Sequence, residues 1–194
     1  MKNKELLNML VSLTLIAVVA ALALAACYNL TKAPIEQSKR SKQQAALQQV
    51  LPGFTGETRE MKFLPIDGKD SLSVFLAYEN ERWVGVAVNS YTDKGFSGRF
   101  TVMVGFDTTG KITGTEVLEM NETPGLGDNI KKEKSDFSKQ FDGKIIEAKT
   151  LSVKKDGGDI DAITAATISS RAYCDAVNRA HDMFLLAKKE VNYE

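Results

Sequence analysis

Asp161-Ala-Ile-Thr-Ala-Ala-Thr-Ile-Ser-Ser170 is a hydroxyl-rich, small-residue stretch that runs straight into a helical pattern. From there Ala172, Tyr173, Ala176, Val177, Ala180, Met183, Phe184 and Ala187 recur at three- and four-residue spacing. That is the stripe of an amphipathic helix extending to about Lys189. A loop of this kind opens onto a helix N-terminus, where backbone N–H groups lack partners and the helix dipole is positive. Such an end suits a phosphate, and the small side chains of Ala165 and Ala166 let a ligand come close to the backbone. The same chemistry also describes an ordinary Ser/Thr helix cap, so on helix-start grounds alone both readings stand.

The order of residues narrows the choice. Asp161 through Thr167 resembles the Asp-x-x-Ser/Thr-Gly-Ala-Thr flavinylation motif of the FMN-binding domain family, with Ala165 where the family usually has Gly. The resemblance implies FMN joined through its phosphate to the hydroxyl of Thr167 by a separate flavin transferase, with Thr164 and Asp161 shaping the loop. A second stretch, Glu122-Thr-Pro-Gly-Leu-Gly127, resembles the loop that lies beside the flavin ring in that family. Pro124 and Gly125 force a turn there. The resemblance therefore places Glu122, Thr123, Gly125 and Leu126 at the ring. Lys154 is a further candidate for the ring edge, where positive charge stabilises reduced flavin; a solvated lysine at a strand end is the plainer alternative. A weaker match is Lys94-Gly-Phe-Ser-Gly98 with the strand after it. Together the matches cover roughly residues 70 to 190.

The N-terminal segment is of a different kind. Residues 6 to 31 carry no charged side chain, and Leu6 to Tyr28 would extend about 35 Å as a helix, enough for a hydrocarbon core of about 30 Å. Lys2 and Lys4 precede it, which favours a cytoplasmic N-terminus, although Lys32, Lys39, Arg40 and Lys42 follow. A competing reading is a cleaved signal, since Leu24-Ala-Ala-Cys27 resembles a lipobox with Cys27 as the lipidated residue. Thr31-Lys-Ala-Pro-Ile35 is similar to the segment that follows a retained membrane helix in relatives of the family, and favours retention. The expectation is a single-pass protein of a bacterial cytoplasmic membrane, with its globular part outside the cytoplasm.

Composition bounds the rest. Basic and acidic residues balance at 25 each, so there is no basic footprint for nucleic acid. Two cysteines and one histidine leave no disulfide framework, iron–sulfur motif or metal-ligand spacing. Cys174 reads as a core residue and His181 as one near the polar side of its helix.

The organisation expected is α+β. It comprises a transmembrane anchor over 1–30, a connecting helix and linker over 31–53 in which Pro34 marks the exit from the membrane helix, and one FMN-binding domain over 54–194, an antiparallel sheet with flanking helices. Strands are expected at Leu72–Glu79, Arg82–Thr92, Gly98–Asp107 and Lys111–Met120, with hairpin turns at Asn80-Glu81 and Thr108–Gly110. A polar helix is expected over 129–141, and a short strand at Thr150–Lys154.

The resemblance extends to function. Domains of this family serve as electron-carrier subunits of membrane-bound ion-translocating complexes, and the chain length is similar to the Rnf type rather than to the longer counterpart in Na⁺-translocating NADH:quinone reductase. This implies a non-autonomous redox subunit of a ferredoxin:NAD oxidoreductase complex. Its partners would be iron–sulfur membrane subunits and a second flavin subunit, with the flavin transferase for maturation. The alternatives are a membrane-tethered FMN domain serving a separate extracytoplasmic reductase, or a lipoprotein without flavin.

Overall fold

The computed structural model describes residues 2–65, 70–146 and 150–191. The chain divides into two units, 1–42 and 43–194. The first unit is helix alone, the N-terminal part of α1 (Lys2–Val50). This is a helix long and apolar enough to cross a membrane by length and composition, and the side chains of its apolar stretch are exposed. Helix α1 does not stop at Pro34, as the sequence suggests, but contains it. A proline removes one backbone hydrogen bond and crowds the preceding turn, but it does not oblige a long helix to end.

The second unit is built on five strands, β1 (Glu57–Phe63), β2 (Leu72–Glu79), β3 (Arg82–Gly95), β4 (Gly98–Asp107) and β5 (Ile112–Glu119). They form an antiparallel meander in the order β1-β2-β3-β4-β5. Asn80 and Glu81 both adopt positive φ, which closes the β2–β3 turn in two residues.

Alternation along the strands sorts two cores onto the two faces. Val74, Leu76, Val86, Val88, Val102, Val104 and Phe106 point to one face, which is covered by helix α2 (Thr167–Val191) through Tyr173, Val177, Met183 and Phe184. Phe75, Ala77, Ala87 and Met103 point to the other, which is covered by Ala46, Val50 and Leu51 at the end of α1. Close approach on this second face requires glycine: a side chain on Gly105 would start 2.2 Å from the Val50 carbonyl oxygen. Polar bonds fix α2 on β3, among them an ion pair from Lys94 Nζ to Asp175 Oδ1 at 2.5 Å. Ser90 Oγ donates to the Ala176 carbonyl at 2.8 Å, and Thr92 Oγ1 donates to Asp175 Oδ2 at 2.8 Å.

One strand carried no expectation, and two local expectations give way to other structure. Strand β1 has no alternation to find: it is a charged, largely exposed edge strand, the kind of edge that resists pairing with another chain. The stretch 129–141 holds two short 3₁₀ turns, Gly127–Ile130 and Ser138–Phe141, instead of an α-helix. Ser135 intervenes by donating to the Asn129 carbonyl and accepting from the Phe137 N–H, a local alternative to helical bonding. In place of a strand over Thr150–Lys154 there is a bridge between Val153 and Ile160, followed at once by a 3₁₀ turn, Lys154–Asp156. The backbone of Leu151 is satisfied on both sides by the Asn178 amide of α2, at 2.9 and 2.8 Å, so no strand partner is needed.

His181 also differs from expectation. It is buried between the rings of Phe106 and Phe184, with centroids 6.1 and 6.0 Å away. Burial pushes its pKa down from 6.5, partly countered by Asp182. A histidine with a lowered folded pKa contributes stability above its unfolded pKa, and that contribution is lost as pH falls through the folded value. Thermal unfolding should therefore become easier as pH drops below about 6.5, and His181→Leu should flatten that part of the profile. An unchanged slope in the variant would place the acid sensitivity elsewhere.

Candidate functional site

The hydroxyls that make 161–170 conspicuous have separate tasks. Ser170 folds the loop: its Oγ accepts from the Ile163 N–H at 3.0 Å and donates to the Ala166 carbonyl at 2.9 Å. The Ala166 N–H closes onto the Ile163 carbonyl at 3.0 Å, making the turn that Ala165 completes at φ +60°. That left-handed conformation is uncommon for a residue with a Cβ and suits glycine best. It accounts physically for the glycine usual at this place in the resembling motif. Ser169 reaches the other way, donating to Glu122 Oε2 at 2.8 Å. Thr164 is exposed at the outside of the turn.

Thr167 opens α2. The first backbone bond of the helix runs from the Ser170 N–H to the Ala166 carbonyl at 3.0 Å, so the amides of Thr167, Ile168 and Ser169 have no partner within the helix. The methyl of Ala166 offers them no acceptor, and the first turn contains no acidic residue. Beside it, Lys155 Nζ donates to Thr167 Oγ1 at 3.3 Å. The turn bearing Lys155 is fixed to α2 by a two-pronged ion pair, Arg171 Nε to Asp156 Oδ2 and Arg171 Nη2 to Asp156 Oδ1, both 2.7 Å. Arg171 holds the Asp156 carboxyl below its usual range. The surroundings of the Thr167 hydroxyl are therefore those an anionic phosphate favours.

Facing this helix end is the turn 122–127. Leu126 N–H donates to the Thr123 carbonyl at 3.2 Å, and Asn129 Nδ2 donates to the Gly125 carbonyl at 3.1 Å. Gly125 sits at φ +77° over open space. Lys134 closes the base of the turn on the buried Asp128, whose carboxyl it holds below the usual range. Between turn and helix lies a cleft of about 270 Å³, lined by Phe96, Glu122, Thr123, Leu126, Gly127 and the stretch 165–169. Its mouth is apolar: Phe96, Leu126 and Ile168 are 66, 43 and 48 % exposed.

Of the residues expected from sequence, Glu122, Thr123, Leu126, Ala165, Ala166 and Thr167 come together in this cleft. Gly125 shapes the turn without lining the space. Asp161 and Lys154 stand outside it and pair with each other at 2.7 Å. The backbone of Asp161 is further held by Gln140, whose Oε1 accepts from the Asp161 N–H at 2.8 Å. The lysine beside Thr167 is the next one along, Lys155. Gly127, the end of the loop that the resemblance sets beside the ring, lines the cleft too, while sequence reading missed Phe96, Ile168 and Ser169. Phe96 had a signal, a large aromatic at the glycine-flanked tip of a hairpin, where nothing in the fold can bury it. No metal-binding group of histidine, cysteine or acidic side chains occurs among the described residues.

Two segments of the chain match known protein families. The FMN-binding domain matches residues 95–182, and the RnfG N-terminal region matches residues 7–50. The chain is similar to the G subunit of the ion-translocating oxidoreductase complex of Salmonella typhi, 39 % identical over 160 residues, which are 78 % of each chain. The protein of the same name from Escherichia coli K12 is 37 % identical over 164 residues, 80 % of each chain. That from Shewanella baltica is 34 % identical over 190 residues, 93 % of this chain and 89 % of its own. With an FMN-binding domain behind a long apolar helix, this chain belongs to the family of G subunits of ion-translocating oxidoreductase complexes.

Proposed function

We propose that this chain is the electron-carrying subunit of an Rnf-type ferredoxin:NAD oxidoreductase complex, with FMN joined through its phosphate to Thr167. FMN supplies the redox chemistry, because it takes up and releases electrons singly or in pairs. The observation that carries the reading is the pairing of two unlike surfaces in one cleft. A half-buried threonine hydroxyl lies at an uncapped helix end beside Lys155, and an apolar slot of Phe96, Leu126 and Ile168 opens next to it. The first matches a phosphate and the second a flat, weakly polar ring. The protein's residues hold the cofactor and set its surroundings: the helix end and Lys155 take the anionic end, while the turn 122–127 and Phe96 exclude water from the ring.

In this reading α1 crosses the membrane once with its N-terminus in the cytoplasm, and the domain of residues 54–194 works on the far side. The anchor covers 1–30 and the linker 31–53. Electrons arrive from an iron–sulfur centre in a membrane subunit and leave to a second flavin subunit. A covalent bond is useful there, because cofactor lost outside the cytoplasm is not readily replaced.

Mass spectrometry of the tryptic peptide Asp156–Arg171 tests the core of this reading. After expression with the flavin transferase, the peptide should carry the added mass of FMN less water. A bare peptide under those conditions refutes covalent FMN in this chain.

A further inference from the structure

Glu122 is 5 % exposed, and its carboxylate ties two other segments of the chain to its own turn. Oε1 accepts from the Ser97 N–H at 3.3 Å, at the tip of the β3–β4 hairpin. Oε2 accepts from Ser169 Oγ at 2.8 Å, in the first turn of α2. The residue itself begins the turn 122–127. Both oxygens thus act as acceptors, and a buried carboxylate is costly unless it is so satisfied.

Two glycines make room for it. A Cβ on Gly95 would lie 2.6 Å from Oε1, and one on Gly127 would lie 2.4 Å from Oε2 and 2.7 Å from Ser169 Oγ. The fold therefore leaves side-chain-free backbone on both sides of this one carboxylate. The elements it joins carry opposite walls of the cleft. Next to Ser97 is Phe96, next to Ser169 are Ile168 and Thr167, and beyond the turn is Leu126.

We infer that Glu122 is the positioning residue of this slot. Its carboxylate sets the separation between the hairpin tip bearing Phe96 and the helix turn bearing Thr167, and thereby the surroundings of the isoalloxazine ring. The inference rests on the reading that FMN occupies the cleft. It assigns Glu122 no part in attachment, because the phosphate end is held by α2 and Lys155. Glutamine has the length to span the same gap and keeps an acceptor for the Ser97 N–H. The Ser169 hydroxyl can then rotate to accept from the amide. Aspartate is one methylene shorter and cannot reach both walls.

The experiment compares Glu122→Gln, Glu122→Asp and Glu122→Ala in the full chain. Two measurements are made: amide exchange at Ser97 in chain expressed without the flavin transferase, and visible circular dichroism with reduction potential in chain expressed with it. In the alanine and aspartate variants, Ser97 exchange should rise about tenfold or more, as expected for a lost charge-assisted hydrogen bond. The flavin dichroism should collapse and the potential should shift, with the FMN mass still on peptide 156–171. Glutamine should retain the dichroism band and slow exchange while moving the potential upward, because a negative charge near the ring is removed.

Attached flavin with wild-type dichroism and potential in Glu122→Ala overturns the inference and leaves FMN attachment standing. A bare wild-type peptide instead overturns the flavin reading, and the exchange data still decide whether Glu122 joins the two walls. Should Glu122→Ala fail to accumulate, Ser169→Ala removes only the Oε2 bond. It should weaken the flavin dichroism by less than Glu122→Ala would, with FMN still attached, and unchanged dichroism there overturns the inference.

Discussion

Thr167→Val should abolish covalent FMN while the protein is still made and folded. Only a hydroxyl can form the phosphoester, and valine preserves the β-branched shape at the first position of α2. The fold has little to lose. The Thr167 hydroxyl accepts a 3.3 Å hydrogen bond from the exposed Lys155 ammonium, and it closes no loop. The loop is folded instead by Ser170 and gripped by Ser169. The stability cost should be about 1 kcal/mol or less, within the range of half-exposed substitutions. The expected signature is complete loss of the FMN mass from peptide 156–171 and loss of electron transfer through the complex, with an unfolding midpoint close to that of unmodified wild-type chain. Thr164→Val should retain the cofactor, since Thr164 is on the outside of the turn. FMN mass persisting in the Thr167 variant would move the attachment site elsewhere. Loss of the mass in both variants would point to damage of the loop.

How much of this was legible in the sequence depends on how local each signal was. Strands β2 and β4 coincide with the expected Leu72–Glu79 and Gly98–Asp107, because both are apolar runs bounded by turn residues. Helix α2 announces itself by its stripe, which faces one continuous core. Strand β1 carries no such mark, since an edge strand with both faces largely in water needs no apolar face. The stretch 129–141 misled because Ile130, Phe137 and Phe141 do enter the core, but from two 3₁₀ turns and the residue before the second, with the Ser135 side chain bonding the segment between them. At the site, the residues found were those within two contiguous motifs. Lys155 was passed over for Lys154 because their order along the chain does not say which side chain turns toward Thr167; the Asp156–Arg171 pair and the bond from Lys154 to Asp161 decide that. Phe96 and Ser97 lie far before Thr167 in the chain, and only the pairing of β3 with β4 and the packing of α2 on the sheet bring them to it.

The largest effect on the fold should come from Tyr173→Ala. Tyr173 is fully buried in α2 and meets three rings, Phe100, Phe137 and Phe141, with centroids 6.5, 5.4 and 5.0 Å away. These come from different parts of the chain: Phe100 from β4, Phe137 from just before the second 3₁₀ turn, and Phe141 from its end. The irregular stretch 127–141 has little backbone ladder to hold it, so these aromatic contacts supply much of its attachment to the sheet and α2. Removing a buried aromatic of this size costs about 3–5 kcal/mol, a large part of the roughly 5–15 kcal/mol available to a typical domain. Tyr173→Phe should behave quite differently. The Tyr173 hydroxyl is buried without a well-formed hydrogen bond, as is the hydroxyl of Thr115 toward which it lies. Deleting an unsatisfied buried hydroxyl removes a desolvation cost and leaves the ring contacts in place, so this variant should match or exceed wild type. Chemical unfolding of the full chain in detergent, followed by the far-ultraviolet signal of the sheet, separates the cases. A large loss in Tyr173→Phe would mean the hydroxyl is bonded in solution. A small loss in Tyr173→Ala would mean that the 127–141 stretch, and with it the turn that forms one wall of the cleft, is held by contacts other than this aromatic cluster.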